Sequence, residues 1–185
     1  MTIVRDAKDW TWVLERPCEE CGFDCRSFPR EEIGRRCRDA AEPWPGFLAD
    51  ARARLRPSPD RWSALEYACH VRDVYRRGSY RLGRMLNEDN PLFENWDQDE
   101  TAVSERYDLQ DPATVAAELT AAATDLSDLY DTVGGDQWSR PGTRSDGALF
   151  DVESFGRYFL HDLVHHIVDV QHGFAAPPRT TKGDG

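Results

Sequence analysis

The stretch Glu153–His172, ESFGRYFLHDLVHHIVDVQH, carries four of the chain's five histidines: His161, His165, His166 and His172. Apolar residues recur at helical spacing through Phe155, Phe159, Leu160, Leu163, Val164, Ile167, Val168 and Val170, which predicts a long amphipathic helix. Residues four apart on a helix lie above one another on one face. His161 and His165 therefore point the same way and can grip one divalent cation. His166 sits about 100° further round the axis and is left out of that pair. The short pattern HxxxH is also met in core-edge histidines bonded to carbonyls, so spacing alone does not decide. Scarcity adds weight, because His70 falls on a second amphipathic pattern that a bundle brings opposite the pair. Three histidines on two facing helices form a facial site with positions open to water or substrate.

Working outward, Trp62 to Leu86 reads as a second helix, with an apolar stripe through Leu65, Ala68, Cys69, Val71, Val74, Tyr75, Leu82 and Met85 around His70. Glu66 lies one turn before His70 and Asp73 nearly one turn after it. These two, with Asp162 beside the histidine pair, are candidates to take the free N–H of a ligating ring. A solvated helix-face charge is the plainer reading of each. Pro29-Arg30-Glu31-Glu32 opens the first helix, which Pro43 and Pro45 break before a second piece from Gly46 to Leu55. Asp111-Pro112-Ala113 reads as an N-cap and first turn, and the third helix stops at Gly134-Gly135. Residues 87–110 are acidic and poor in periodicity, which predicts a long crossover loop. Asn95, Trp96, Asp97 and Tyr107 are candidates for a pocket mouth, although Trp96 reads better as packing over the bundle end. Residues 136–151 read as a loop or short hairpin, with Arg140 and Arg144 placed either to steer an anionic substrate or to pair with nearby acids.

The fold class is thus all-α: a four-helix bundle with a long crossover between helices two and three. Its parts are an irregular, cysteine-containing segment (1–28) packed on the bundle, the bundle itself (29–174) and a flexible Pro/Gly-rich tail (175–185). The net charge of −11 argues against nucleic acid as a partner. No apolar run is long enough to span a membrane, and MTIVRDAKDWTW lacks the apolar core of a secretory signal, so a cytoplasmic location is expected.

Such a location argues against a disulfide scaffold for the five cysteines. Cys18-x-x-Cys21-Gly22 resembles a zinc knuckle, in which glycine lets the backbone fold round a metal. A knuckle needs two more ligands, and Cys25 and Cys37 are within the same stretch, but their spacing matches no familiar zinc pattern. A redox pair and unremarkable reduced thiols remain open beside a structural metal.

Four amphipathic helices, WSALEYACHVRDVY around His70, and DQWSRPG followed by SDGALFDVESFGRYFLHDLVHH together resemble the DinB-like superfamily. That group includes YfiT-type metal-dependent hydrolases and mycothiol-dependent maleylpyruvate isomerases. The resemblance runs from about residue 30 to 172 and leaves out the cysteine segment. It implies a divalent metal (Zn, Ni, Fe or Mn) held by His70, His161 and His165, with His166 beside the second helix-four ligand. It also implies a low-molecular-weight thiol, such as mycothiol, as a co-substrate. The expected function is a metal-dependent enzyme that activates a small thiol for transfer or isomerisation of a small-molecule substrate. Metal-dependent hydrolysis, or a non-catalytic metal-binding, stress-response or redox-sensing role, is the alternative. An apolar helix face is compatible with a homodimer.

Overall fold

The computed structural model describes residues 10–175, so the tail reading from residue 176 onward lies outside the described residues. A 3-10 turn at Arg30–Glu32 leads into α1 (Ile33–Ala41). The proline break falls where expected, but the second piece, α2 (Trp44–Ala49), begins earlier and ends sooner than Gly46–Leu55. Pro43 and Pro45 sit at the N-cap and in the first turn, where a missing N–H costs nothing. The Asp50 carboxylate then takes the Arg52 N–H and turns the chain away.

Helix α3 (Ala64–Asn87) starts at a capping box in which Ser63 Oγ accepts from the Glu66 N–H and the Glu66 carboxylate accepts from the Ser63 N–H. The crossover is more ordered than its sequence pattern implies. It holds β1 (Leu92–Phe93) and α4 (Gln98–Ser104), the latter nucleated by Asp97, whose carboxylate accepts from the N–H groups of Asp99 and Glu100. Helix α5 (Pro112–Asp131) is capped by Asp111 as the sequence indicates. The short hairpin is β2 (Pro141–Arg144) and β3 (Leu149–Asp151), and β1 pairs parallel with β2. This small sheet is an addition to the helical class, and it ties the crossover to the segment that enters α6 (Val152–Ala175).

The bundle closes as a ring in which α1 packs on α5, α5 on α3, α3 on α6 and α6 back on α1. Ile33, Trp44, Leu65, Tyr75, Leu82, Leu119, Leu126, Phe155 and Leu160 fill its interior. The α3 stripe read from the sequence is buried throughout; on α6 Phe155, Phe159, Leu160, Leu163 and Val170 are buried while Val164, Ile167 and Val168 are half-buried, and such burial is the main source of stability for these helices. Among the described residues, the segment before the bundle (10–28) has one 3-10 turn, Thr11–Leu14, and is otherwise irregular. It lies against α6, where Arg157 donates to the carbonyls of Cys25 and Phe28. Among the described residues no helix is long and apolar enough to cross a membrane.

Candidate functional site

Helix α6 presents two i, i+4 pairs side by side; all four residues line one cleft, but the pairs meet different partners. His161 and His165 face the N-terminal segment. Their rings meet that of Trp10, with centroids 5.4 and 5.2 Å away, and Phe23 approaches His161 at 6.0 Å. Asp162 and His166 face α3. His70 Nε2 lies 3.5 Å from Asp162 Oδ2, His166 Nε2 lies 3.3 Å from Asp162 Oδ1, and the His70 and His166 rings meet edge-on at 4.8 Å.

Two groups of closely spaced ligand atoms result: His70 with Asp162 and His166, and His161 and His165 with Cys18 and Cys21. The expected triad of His70, His161 and His165 is not among these close groups, although all three residues line one cleft. The one-residue offset of about 100° explains the split, because only one of the two pairs can face α3. The signal was present in the sequence, since Asp162 is itself i, i+4 from His166, but a search confined to histidine passes over it.

The other expected site residues are placed as follows. Glu66 does not reach His70, because its carboxylate is taken by Arg56 and by Ser63 in the capping box. Asp73 is committed to Arg72 and accepts a 2.6 Å hydrogen bond from the Tyr107 hydroxyl. The four-cysteine set is not assembled either. Cys25 Sγ donates to the Val13 carbonyl, and Cys37 is buried in the core on α1. Burial pushes the Cys37 thiol up to about 12.

The His70 group forms one wall of a cleft of about 830 Å³, within the range of small-molecule sites. Trp96 stacks on His70 with ring planes 5° apart and centroids at 5.3 Å, so this residue of the crossover is both packing and pocket wall. Trp62 approaches the same ring at 5.4 Å with its plane tilted by 47°. Asn95 and Asp97 also line the cleft, whereas Tyr107 is buried beneath it.

His70 is fully buried; its Nδ1 has no hydrogen-bond partner among the described residues, and its Nε2 has only the long, 3.5 Å approach of Asp162 Oδ2. A buried imidazole so poorly satisfied is costly, and it is the arrangement a ligand to a cation requires. Burial lowers the His70 pKa and keeps the ring neutral, against the opposing pull of Asp162. His166 is raised to about 9: burial alone would lower it, but Asp162, and Asp169 at 2.9 Å from Nδ1, together outweigh that. Asp162 is held well below the usual carboxylate range by His166 and His70, although burial opposes its ionisation. One buried neutral imidazole, one ionised carboxylate and one carboxylate-supported imidazole suit a borderline divalent cation, with a further position open to the cleft.

Two arginines line the same cleft. Arg140 is not one of them, because it donates to the carbonyls of Met85 and Glu88. Arg144 pairs with Asp146 and donates to the Tyr158 hydroxyl. Arg81 donates to the Glu94 carbonyl at 2.7 Å and has no carboxylate ion pair among the described residues. Burial, reinforced by the charges of Arg77 and Arg144, pushes it down to about 10.

A helical bundle that gathers a histidine–carboxylate group at the wall of an arginine-bearing cleft defines the class of this chain. It belongs to the DinB superfamily, whose model matches residues 33–174. Among solved structures, YfiT from Bacillus subtilis, described as a probable metal-dependent hydrolase with an unusual four-helix bundle topology, is similar over 94% of this chain and 92% of its own. The identity is 18% and the TM-score 0.62, so the likeness bears on the fold. No curated protein matches.

Proposed function

We propose that the chain is a divalent-metal-dependent enzyme in which His70, Asp162 and His166 hold the cation, and that it brings a small thiol to an anionic small-molecule substrate. The observation that carries this reading is His70, buried at the cleft wall without a well-formed hydrogen bond at either ring nitrogen, its Nε2 3.5 Å from the ionised Asp162 carboxylate that also meets His166. A bound divalent cation supplies Lewis-acid polarisation and eases deprotonation of the water or thiol it holds.

The chain's own residues supply binding and orientation. Asp169 holds His166 through Nδ1, which leaves Nε2 aimed at the Asp162 side. Trp96 stacks on the His70 ring and Trp62 packs against it, which shields the ring from water. Arg81, a desolvated cation on the cleft, is complementary to an anionic group on the substrate. No cysteine lines the cleft among the described residues. Cys69, the one nearest in sequence to His70, is turned toward the Tyr107 carbonyl and Gln110, and burial pushes its thiol up to about 12. A nucleophilic thiol must therefore come from a co-substrate.

Hydrolysis is the second reading, favoured by the description of YfiT. The two are separated by assaying zinc-, nickel- and manganese-loaded protein against small anionic electrophiles, with and without a low-molecular-weight thiol. Thiol-dependent turnover that disappears in His70→Ala supports the first reading, and thiol-independent hydrolysis with the same dependence supports the second. Metal uptake unchanged by His70→Ala sinks both.

A further inference from the structure

The cysteine turn and the buried His161–His165 face of α6 meet in a second cluster that the proposed reaction does not use. Cys18 Sγ lies 3.7 Å from His165 Nδ1. One ligand atom from each of Cys18, Cys21, His161 and His165 lies within 4.8 Å of all the others. Zinc–sulfur bonds of about 2.3 Å and zinc–nitrogen bonds of about 2.0 Å at a tetrahedral angle put sulfur and nitrogen roughly 3.6 Å apart. The Cys18–His165 separation fits that value.

The backbone of the turn is folded for the same purpose. Gly22 has φ +74, a conformation that favours glycine, and its N–H bonds the Cys18 carbonyl at 2.8 Å while the Cys18 N–H bonds the Phe23 carbonyl at 2.9 Å. These bonds bring the two sulfurs to one side of the turn. His161 is buried and its Nε2 has no hydrogen-bond partner. His165 points Nδ1 at the cluster, with its Nε2 3.5 Å from the Glu20 carboxylate, the outer partner that commonly fixes a ligating imidazole. Cys18 and Cys21 are not joined in a disulfide.

From this geometry we infer that Cys18, Cys21, His161 and His165 form a closed Cys2His2 zinc site that staples the N-terminal segment to α6. Two thiolates and two neutral imidazoles balance the charge of the dication, so the complex is neutral and suited to a buried setting. Each thiol loses its proton to solvent as its sulfur takes up the metal, and nothing is oxidised or reduced. His161 and His165 border the same cleft as the His70 group, but four protein ligands leave no open position, which assigns this site a structural role beside the three-ligand group. The matched span of the family begins at residue 33, so half of this ligand set lies outside it. Because His161 and His165 alternate along α6 with Asp162 and His166, the staple also fixes the rotation of α6 that turns the second pair toward His70.

The test uses the full chain, reconstituted with zinc and separately with cobalt under reducing conditions. Zinc content is expected to fall by one equivalent in Cys18→Ser, and by a different single equivalent in His70→Ala. Cobalt-loaded wild-type protein and His70→Ala are both expected to show a near-ultraviolet sulfur-to-cobalt charge-transfer band that is absent in Cys18→Ser. The band in wild type needs no variant to fold, so its absence there overturns the proposal. Full zinc content in Cys18→Ser overturns it too, as does isolation of Cys18 and Cys21 as a disulfide that excludes zinc. Failure of the cleft reading, with His70→Ala inert toward metal, leaves the cobalt band in place, so the two outcomes are distinguishable.

Discussion

His165 and His166 are adjacent in sequence, yet their ring planes stand 85° apart and they serve different ligand groups. Asp169 lies between them, with its Oδ2 2.9 Å from His166 Nδ1 and 3.8 Å from His165 Nε2. The shorter contact is the hydrogen bond that sets which nitrogen of His166 faces Asp162 and the cleft. Asp169 is thus a positioning residue for the His70 group.

Replacing Asp169 with Asn keeps the shape but removes the charge that orients His166. Outer partners of this kind are worth about 10–100-fold in metal affinity. We expect Asp169→Asn to weaken zinc binding at the His70 group by that factor while the cobalt–sulfur band of the cysteine group persists. Competition titration against a chelating dye reads the first quantity, and an unchanged affinity would rule out the role given to Asp169.

Much of this arrangement was legible in the sequence. Apolar periodicity marked α3 and α6, and Asp111-Pro112 marked the start of α5, because these signals are local. The family resemblance named His70 and the right helix as partners. It did not reveal which of two adjacent i, i+4 pairs faces His70, since that depends on the rotation of α6, a tertiary quantity. Cys18-x-x-Cys21 and His161-x3-His165 were each visible as half-sites, but 139 residues separate Cys21 from His161 along the chain. Glu66 was misread for a related reason. Its role as the capping-box partner of Ser63 is written in the Ser-x-x-Glu spacing, and proximity to His70 drew attention away from it.

That cap supplies a pH-dependent prediction. The Glu66 side chain is buried, which alone would raise its carboxyl, but Arg56 and Ser63 hold it below the usual value. A depressed folded-state pKa means a contribution to stability that is present above the unfolded value of about 4.3 and lost as the pH falls through the folded one. Glu66→Gln removes the charge and is expected to cost about 1.5–3 kcal/mol at pH 7, the range for a hydrogen bond to a charged group. Urea midpoints measured from pH 7 down to pH 3 should fall more steeply for wild type than for the variant. Parallel curves would show that Glu66 is not the group responsible.

The approach of α1 to α5 predicts a steric effect. A Cβ built at Gly34 meets the Ser127 backbone carbonyl at 2.8 Å and collides with the Asp131 carboxylate. The carboxylate can swing aside, but the carbonyl belongs to the helix. Gly34→Ala is therefore expected to destabilise by about 1–3 kcal/mol, more than the roughly 1 kcal/mol that alanine gains in helix propensity. Thermal unfolding of the variant decides this, and a melting temperature at or above wild type would mean the helices part more easily than their packing indicates.

Arg81 separates stability from function. Its guanidinium is buried at the cleft, weakened as a cation by its surroundings, and bonded to the Glu94 carbonyl, with no carboxylate in ion-pair contact among the described residues. Such a charge is held against its desolvation cost, so a nonpolar side chain of similar length should be tolerated by the fold. We expect Arg81→Met to change unfolding free energy by less than about 1 kcal/mol, because relief of the guanidinium's desolvation cost offsets its lost hydrogen bond to the Glu94 carbonyl. An anionic substrate should lose a charge-assisted contact worth about 1.5–3 kcal/mol, read as a rise in KM of roughly tenfold or more, whereas an uncharged analogue should bind as before. A variant that unfolds readily, or one whose KM rises equally for charged and uncharged substrates, would assign Arg81 to holding the Glu94 segment and remove the case for an anion in the cleft.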